Sequence, residues 1–340
     1  MKPSRLAKVI AFAIKKQRPI LIKGAPGTGK SDIVAQACEE VGARLIISHP
    51  VVSDPTDYKG LPFPTKHKDE HGEYDIAKFI PFGELYELIV ADKPTVFFLD
   101  DLGQAPMSVQ AACMQLLLAR RINGHKVSDY VTFLAATNRR QDKAGVMGIL
   151  EPVKSRFAAI IELEVEVEDW VSWAISANMP HELVSFIRWK GDKALFDFHP
   201  TADITNTPCP RTVAYVGHLM NDGLDKDLYF EMFSGAAGQG FAAEFIAYMN
   251  VYSKLPTFDD ILRDPENAPL VSGPDMLYAI CGMISNKVTS HNFDKVMKYC
   301  LRLPKEFQIL LLKDSSRRSK AIMNSPAFTE WAINNSKVML

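Results

Sequence analysis

The stretch LIKGAPGTGKSDIV, Leu21 to Val34, constrains this chain more than any other. It sets Gly24, Gly27 and Gly29 and a proline between an apolar run and the opening of a helical pattern. Gly24, Gly29, Lys30 and Ser31 satisfy G-x-x-x-x-G-K-[ST], with the strand before and the helix after that the motif requires. Glycine lets the backbone turn tightly and approach a ligand, and successive amides of such a loop form an anion-binding nest. The helix that follows adds partial positive charge at its N-terminus. Residues Gly24, Ala25, Pro26, Gly27, Thr28, Gly29, Lys30, Ser31 and Asp32 are therefore expected to wrap the phosphates of a nucleotide. Lys30 is expected to reach the β- and γ-phosphates and the Ser31 hydroxyl to ligate Mg²⁺. A glycine-rich turn that matches by chance is the alternative, and the flanking strand and helix weigh against it.

A loop of this kind needs a sheet to carry it, and the following residues supply one. Short unbroken apolar runs at Ile20–Ile22, Leu45–Ile47, Val96–Leu99 and Val131–Ala136 suit strands covered on both faces. Helical stripes lie between them: Val34, Ala37, Cys38 and Val41, then Val109, Ala112, Cys113, Leu116 and Leu117. This alternation predicts a mostly parallel sheet flanked by helices. A fifth run, IELEVEVE from Ile161, alternates strictly and predicts a strand near a sheet edge. After Glu168 helical periods dominate, exemplified by Phe293, Val296, Met297, Cys300 and Leu301, with prolines dividing the helices. No internal repeat or low-complexity tract interrupts the chain.

Composition bounds the function class. With 340 residues, 47% of them hydrophobic, the chain can bury a large core. A net charge of −1 provides no global field to attract nucleic acid or an anionic membrane. The five cysteines are scattered without CxxC spacing, which fits reduced thiols and a cytoplasmic location. No apolar run nears the roughly 20 residues a membrane span needs. The N-terminal pattern Leu6, Val9, Ile10, Ala13 and Ile14 is that of an amphipathic helix and not of a signal peptide.

Two further strand ends carry chemistry. TVFFLDDL closes a buried strand with Asp100 and Asp101, and in a parallel sheet the carboxyl ends of strands face the ligand crevice. Asp100 is expected to hold Mg²⁺ and Asp101 to polarise the attacking water; a solvated acidic loop is the plain alternative. VTFLAATN ends in Asn138, able to hydrogen-bond both the water and the γ-phosphate, though asparagine is also a common turn residue.

These elements in this order resemble the AAA+ ATPases, and among them the MoxR-like group. The resemblance covers about residues 1–225: GAPGTGKS as Walker A, VFFLDD as Walker B, LAATN as sensor 1, EPVKSRF as the arginine-finger segment and TPCPRT as sensor 2. DPTDYKGLPFP and FIPFGEL also look like the region preceding Walker B in MoxR-like proteins. The implied fold class is α/β, a P-loop NTPase parallel sheet with flanking helices, followed by an α-helical lid and a C-terminal helical region. The domains this gives are 1–167, 168–228 and 229–340. The resemblance further implies an ATP- and Mg²⁺-dependent ATPase in a ring, usually a hexamer, that works chaperone-like on a protein client. It implies, too, a partner bearing a von Willebrand factor A domain. Arg156 would project into the neighbour's site, with Arg139 and Arg140 as spare candidates, and Arg211 would reach from the lid to its own nucleotide. One departure is Asp100-Asp101 where most members carry Asp-Glu, so the expected base is one methylene shorter.

Residues Thr56 to Ala77 form a charged insertion, read either as a mobile loop or as a client-facing element gripping through Tyr58, Leu61 and Phe63. His67 and His71 lack a third ligand, so metal binding is not expected there. RRINGHK, Arg120 to Lys126, is a basic turn that could line a pore or touch phosphates, or simply end a helix. GAAGQG, Gly235 to Gly240, has no strand before it and reads as a close helix junction. A nucleic-acid motor or loader and a monomeric small-molecule kinase stand as alternative functions.

Overall fold

A computed structural model describes residues 1–142, 145–201 and 203–335. The chain divides into two compact units, Met1–Glu164 and Val165–Leu340. The final five residues of the expected 229–340 segment lie outside the described residues.

The first unit opens with helix α1 (Pro3–Lys16), which runs into strand β1 (Ile20–Lys23) and helix α2 (Lys30–Val41). Strand β2 (Arg44–Ser48) and the short helix α3 (Thr56–Lys59) lead to a long hairpin, β3 (Leu61–Asp69) and β4 (Gly72–Ile80). Helix α4 (Glu84–Val90), β5 (Thr95–Leu99) and α5 (Met107–Ala119) follow, then the two-residue strands β6 (Arg121–Ile122) and β7 (His125–Lys126). Strand β8 (Val131–Thr137), the single turn α6 (Glu151–Lys154) and β9 (Ala159–Glu162) complete the unit.

Five strands form one parallel sheet in the order β2-β5-β8-β1-β9. Its strands lie where the unbroken apolar runs predict them, because β5 and β8 are buried along their whole length. The two faces have separate cores. Leu6, Ile10, Ile22, Val34, Cys38, Phe98 and Leu134 cluster on the side of α1 and α2. Leu21, Phe97, Val109, Cys113, Leu116, Phe133 and Ala135 cluster on the side of α5. Successive residues of β5, Phe97 and Phe98, thus serve opposite faces, as the period of two demands. Strand β9 is an edge strand as expected, but it begins at Ala159 and stops at Glu162, so the alternating tail beyond is not part of it.

Two hairpins were not foreseen. The pairing of β3 with β4 runs over nine residue pairs, from Leu61↔Ile80 to Asp69↔Gly72, so the charged insertion is an ordered ladder and not a loop. Nearly all of its residues are exposed on both faces, which removes the alternation that announces a strand, and Pro62 and Pro64 mask it further. Gly60 closes its base: φ is +86°, and a Cβ there would stand 2.6 Å from the Ile80 carbonyl oxygen. Tyr58 is buried and shares hydrogen bonds with Ser48 and Ser53, so it cannot grip a client. Leu61 and Phe63 are exposed. In the second hairpin, Asn123 and Gly124 both take positive φ and join β6 to β7. Arg120 donates to the carbonyls of Ser128 and Val131 and lies over the Phe133 ring, so the first residue of this basic turn is occupied internally.

The second unit has helices and no strand among its described residues: α7 (Val167–Ser176), α8 (His181–Lys190), α9 (Asp192–Leu195), α10 (Pro210–Asn221), α11 (Tyr229–Ala237), α12 (Gln239–Tyr252), α13 (Phe258–Arg263), α14 (Pro274–Lys287), α15 (Phe293–Cys300), α16 (Lys305–Arg318) and α17 (Pro326–Asn334). Gly238, at φ +95°, is the joint between α11 and α12, so the glycine run is a helix junction. The unit holds two core clusters. One gathers Trp170, Leu183, Phe186, Val213, Phe233 and Phe245; the other gathers Phe258, Ile280, Phe293, Val296, Leu311 and Trp331. The expected division near residue 228 falls inside the first cluster, since Val213 and Phe233 share it. Of the stripe read near residue 293, Phe293, Val296, Met297 and Cys300 are buried, whereas Leu301 is exposed.

Candidate active site

The parallel order places β1, β5 and β8 side by side with their carboxyl ends on one edge of the sheet, and each end carries one part of the site. The loop after β1 returns through Gly27 and Gly29, with φ of +70° and +84°, into the first turn of α2. Such dihedrals favour glycine strongly, which is why the motif has it at these positions. Gly24 is fixed by its amide, which donates to the Thr137 carbonyl of β8 at 3.2 Å. Space there is tight, since a Cβ on Gly24 would lie 3.3 Å from both Leu163 Cβ and Thr28 Oγ1. No side chain caps the N-terminus of α2, so the donors of its first turn are available to an anion. Asp32 is exposed in that turn, next to Gly29.

The expected side chains converge on this loop. Lys30 is buried, and its Nζ donates to the carbonyls of Gly24 at 3.3 Å and Ala25 at 3.0 Å, and to Asn138 Oδ1 at 2.7 Å. Ser31 Oγ donates to Asp100 Oδ2 at 2.6 Å. Asn138 Nδ2 in turn donates to Asp101 Oδ1 at 3.2 Å. Asp101 sits in the left-handed region, with φ +54°, two residues past the strand end at Leu99. That conformation is uncommon for a residue with a Cβ and turns the second carboxylate away from the path of the strand. The adjacent acids therefore have different partners: Asp100 faces the Ser31 hydroxyl, and Asp101 faces Asn138.

The donor set suits a polyphosphate with its counter-ion. Glycine-rich backbone, an ammonium and an uncapped helix end face one region, and a hydroxyl–carboxylate pair borders it. Among the described residues no group of three or more His, Cys, Asp or Glu could hold a metal ion by itself. One carboxylate plus substrate phosphates is how Mg²⁺ is commonly held, so the Ser31–Asp100 pair fits that ion.

Two expected residues are not brought to this cluster within the first unit or lie outside it. Arg156 follows α6; its Nη1 donates to the Pro152 carbonyl, while its Nε is buried with no partner among the described residues. Arg211 belongs to the second unit, exposed in the first turn of α10. Of the spare arginines, Arg139 is committed to Asp142 through two bonds of 2.9 Å and lies 3.6 Å from Glu162. The Asp142 carboxylate holds the Arg139 guanidinium above its ordinary pKa, and hydrogen bonding from Lys23 holds Glu162 below its own. Arg140 is exposed. Lys23, Arg139 and Glu162 line a cleft of about 670 Å³ together with Leu21, Met147 and Ile149.

Residues 19–157 match the family model described as the AAA domain of the dynein-related subfamily. This segment has the P-loop AAA+ fold. Cell division control protein 48 homolog B of Arabidopsis thaliana is 25% identical over 169 residues, which are 46% of this chain and 25% of that protein. Midasin of Giardia intestinalis is 25% identical over 188 residues, 52% of this chain and 4% of its own length. The chain thus spans a quarter or less of the length of these relatives. Among solved structures, Thermotoga maritima RuvB, described as a Holliday junction branch migration motor, aligns with a TM-score of 0.40 at 16% identity, over 88% of this chain and 86% of that one.

One residue of the AAA+ site escaped the sequence reading. Gln104, in the 3₁₀ turn Leu102–Gln104, donates Nε2 to Asp101 Oδ1 at 2.9 Å. A lone amide three residues past an acidic pair has no pattern that would single it out.

Proposed function

We propose that this protein is a MoxR-like ATPase that hydrolyses ATP in a ring, usually a hexamer, and uses the cycle to remodel or activate a protein client. The observation that carries this reading is the continuous set of contacts Lys30–Asn138–Asp101 beside Ser31–Asp100 in an AAA+ domain. The amides of Gly27 to Ser31 and the Lys30 ammonium would bind the phosphates, with Asp32 at the helix start. Mg²⁺, when bound, would neutralise phosphate charge as the γ-phosphoryl leaves. Ser31 and Asp100 would hold that ion. Asp101 would take a proton from water as the water oxygen bonds to phosphorus and the bond to the ADP oxygen breaks. Asn138 would orient the same water and sense the terminal phosphate.

The neighbouring subunit would contribute Arg156, whose buried Nε has no partner among the described residues. Arg211 would act from the lid segment 168–228 on the nucleotide of its own subunit. The exposed Leu61 and Phe63 of the β3–β4 hairpin would meet the client, and a protein with a von Willebrand factor A domain is the partner the MoxR-like reading implies. Five buried free cysteines support a reducing, cytoplasmic setting. No helix of the described residues is long and apolar enough to cross a membrane. The alternative of a nucleic-acid motor draws on the basic turn at Arg120, and that side chain is spent on the carbonyls of Ser128 and Val131.

Mixing tests the shared site. Arg156→Ala and Lys30→Ala proteins should each be inactive alone, and mixed they should regain part of the ATPase activity, at sites pairing an intact Walker A with an intact finger. No recovery would remove the shared site and favour a monomeric kinase-like enzyme. Stimulation by DNA or RNA that falls as salt rises would favour the motor.

A further inference from the structure

Gln104 touches the site and no step so far uses it. Its Nε2 and Asn138 Nδ2 donate to the same oxygen, Asp101 Oδ1, at 2.9 and 3.2 Å. The other end of the amide, Oε1, is buried and accepts no hydrogen bond from the described residues. The Nε2 bond to the Asp101 carboxylate is charge-assisted, and it offsets the loss at the unsatisfied acceptor. The amide is therefore oriented by Asp101.

The local fold is built to hold that orientation. Gly103 lies against the end of β8 so closely that a Cβ would stand 2.1 Å from Thr137 Oγ1, and its carbonyl accepts from the Met147 amide at 3.1 Å. Gln104 is thus pinned beside the residue that precedes Asn138. Asp101, at φ +54°, is presented toward both amides.

We propose that Gln104 is a positioning residue for hydrolysis: with Asn138 it clamps Asp101 Oδ1, which leaves Oδ2 as the oxygen that receives the proton of the attacking water. The proposal rests on the reading of Asp101 as the base. It also accounts for the Asp-Asp pair. An aspartate has only two side-chain torsions, so fixing one carboxylate oxygen sets the direction of the other, and two amide donors do this without a longer side chain.

The test compares Gln104→Leu and Gln104→Glu with the wild-type full chain. Loss of one charge-assisted hydrogen bond to the base should lower kcat by roughly tenfold to a hundredfold, with KM for ATP and affinity for a fluorescent ATP analogue within about twofold. Gln104→Glu, nearly isosteric, should lose at least as much, because it replaces the donor with a second carboxylate; it also serves where the leucine variant fails to fold. If wild type turns over ATP and both variants match it within about twofold, the positioning role is overturned while the ATPase stands. A second readout needs no turnover. The Gln104 side-chain amide protons, assigned by their disappearance in Gln104→Leu, should shift and exchange faster in Asp101→Ala, in protein without nucleotide. Resonances unmoved by Asp101→Ala would overturn the clamp even if ATP hydrolysis were never detected.

Discussion

Lys30 Nζ and Asn138 Oδ1 are joined by a 2.7 Å hydrogen bond between residues 108 positions apart in the chain. The contact bridges the Walker A loop after β1 to the end of β8, neighbouring strands of the parallel sheet. The residue proposed to bind phosphate and the residue proposed to sense it are thus in direct contact, and their substitution should still have different effects. Lys30→Ala should abolish ATP binding in the micromolar range. Asn138→Ala should leave affinity nearly intact and lower kcat by about a hundredfold, the usual effect of removing one preorganised donor. Titration with a fluorescent nucleotide and phosphate-release assays separate the two, and an Asn138→Ala protein that loses affinity but keeps kcat would reverse the assignment.

The Ser31–Asp100 pair predicts a different phenotype. Asp100 Oδ2 accepts from Ser31 Oγ at 2.6 Å, so either group lost should leave the other without its orienting partner. Asp100→Asn should raise the Mg²⁺ concentration for half-maximal activity by roughly tenfold to a hundredfold. Excess Mg²⁺ should restore part of the rate, whereas for Asp101→Asn it should restore none. Equal responses of the two variants to Mg²⁺ would contradict the division of labour between the acids.

Gly103 and Gly42 offer a test of why a glycine is needed. A Cβ on Gly103 would meet Thr137 Oγ1 at 2.1 Å, while one on Gly42, at φ +68°, would meet nothing within 4 Å. Gly103→Ala should cost about 1–3 kcal/mol by overpacking and also slow hydrolysis, since it displaces the turn that carries Gln104. Gly42→Ala should cost about 1 kcal/mol from backbone conformation alone and leave the rate per folded molecule unchanged. Urea melts followed by ATPase assays on the same samples compare the two.

What could be read from the residues, and what could not, follows from burial. The central strands β5 and β8 were legible because burial on both faces leaves an unbroken apolar run, as in Val96 to Leu99. Walker A was legible because Gly27, Gly29 and Lys30 answer fixed backbone and charge requirements. The β3–β4 hairpin was hidden for the opposite reason: with both faces in solvent, Phe63 and Tyr74 alternate with nothing consistent. Tyr58, set in a charged stretch, gave no sign that its hydroxyl closes on Ser48. Arg188 and Asp314 stand 126 residues apart, and no local pattern could pair them.

That last pair predicts how the helical unit fails in acid. The Arg188 and Asp314 side chains are only 7% and 5% exposed, and Arg188 also binds Glu168 through Nε and Nη2 at 2.7 and 3.1 Å, tying α8 to α7 and α16. Burial pushes the Glu168 pKa up, but hydrogen bonding and the charge of Arg188 outweigh it, so the carboxyl titrates below its ordinary 4.5. A depressed folded-state pKa gives stability that is fully present above 4.5 and is lost as pH falls through the folded value. Urea stability of the second unit should therefore be flat on this account near neutrality and decline below about pH 4.5, and Glu168→Gln should flatten that acid limb. Arg188→Met should cost about 3–5 kcal/mol at pH 7, because it leaves the buried Asp314 charge with only the longer 3.8 Å contact to Arg317. Adding Asp314→Leu to Arg188→Met should recover much of that loss by removing the stranded carboxylate. If the double variant is no more stable than Arg188→Met, the cost lies in packing around the guanidinium and not in the charge it neutralises.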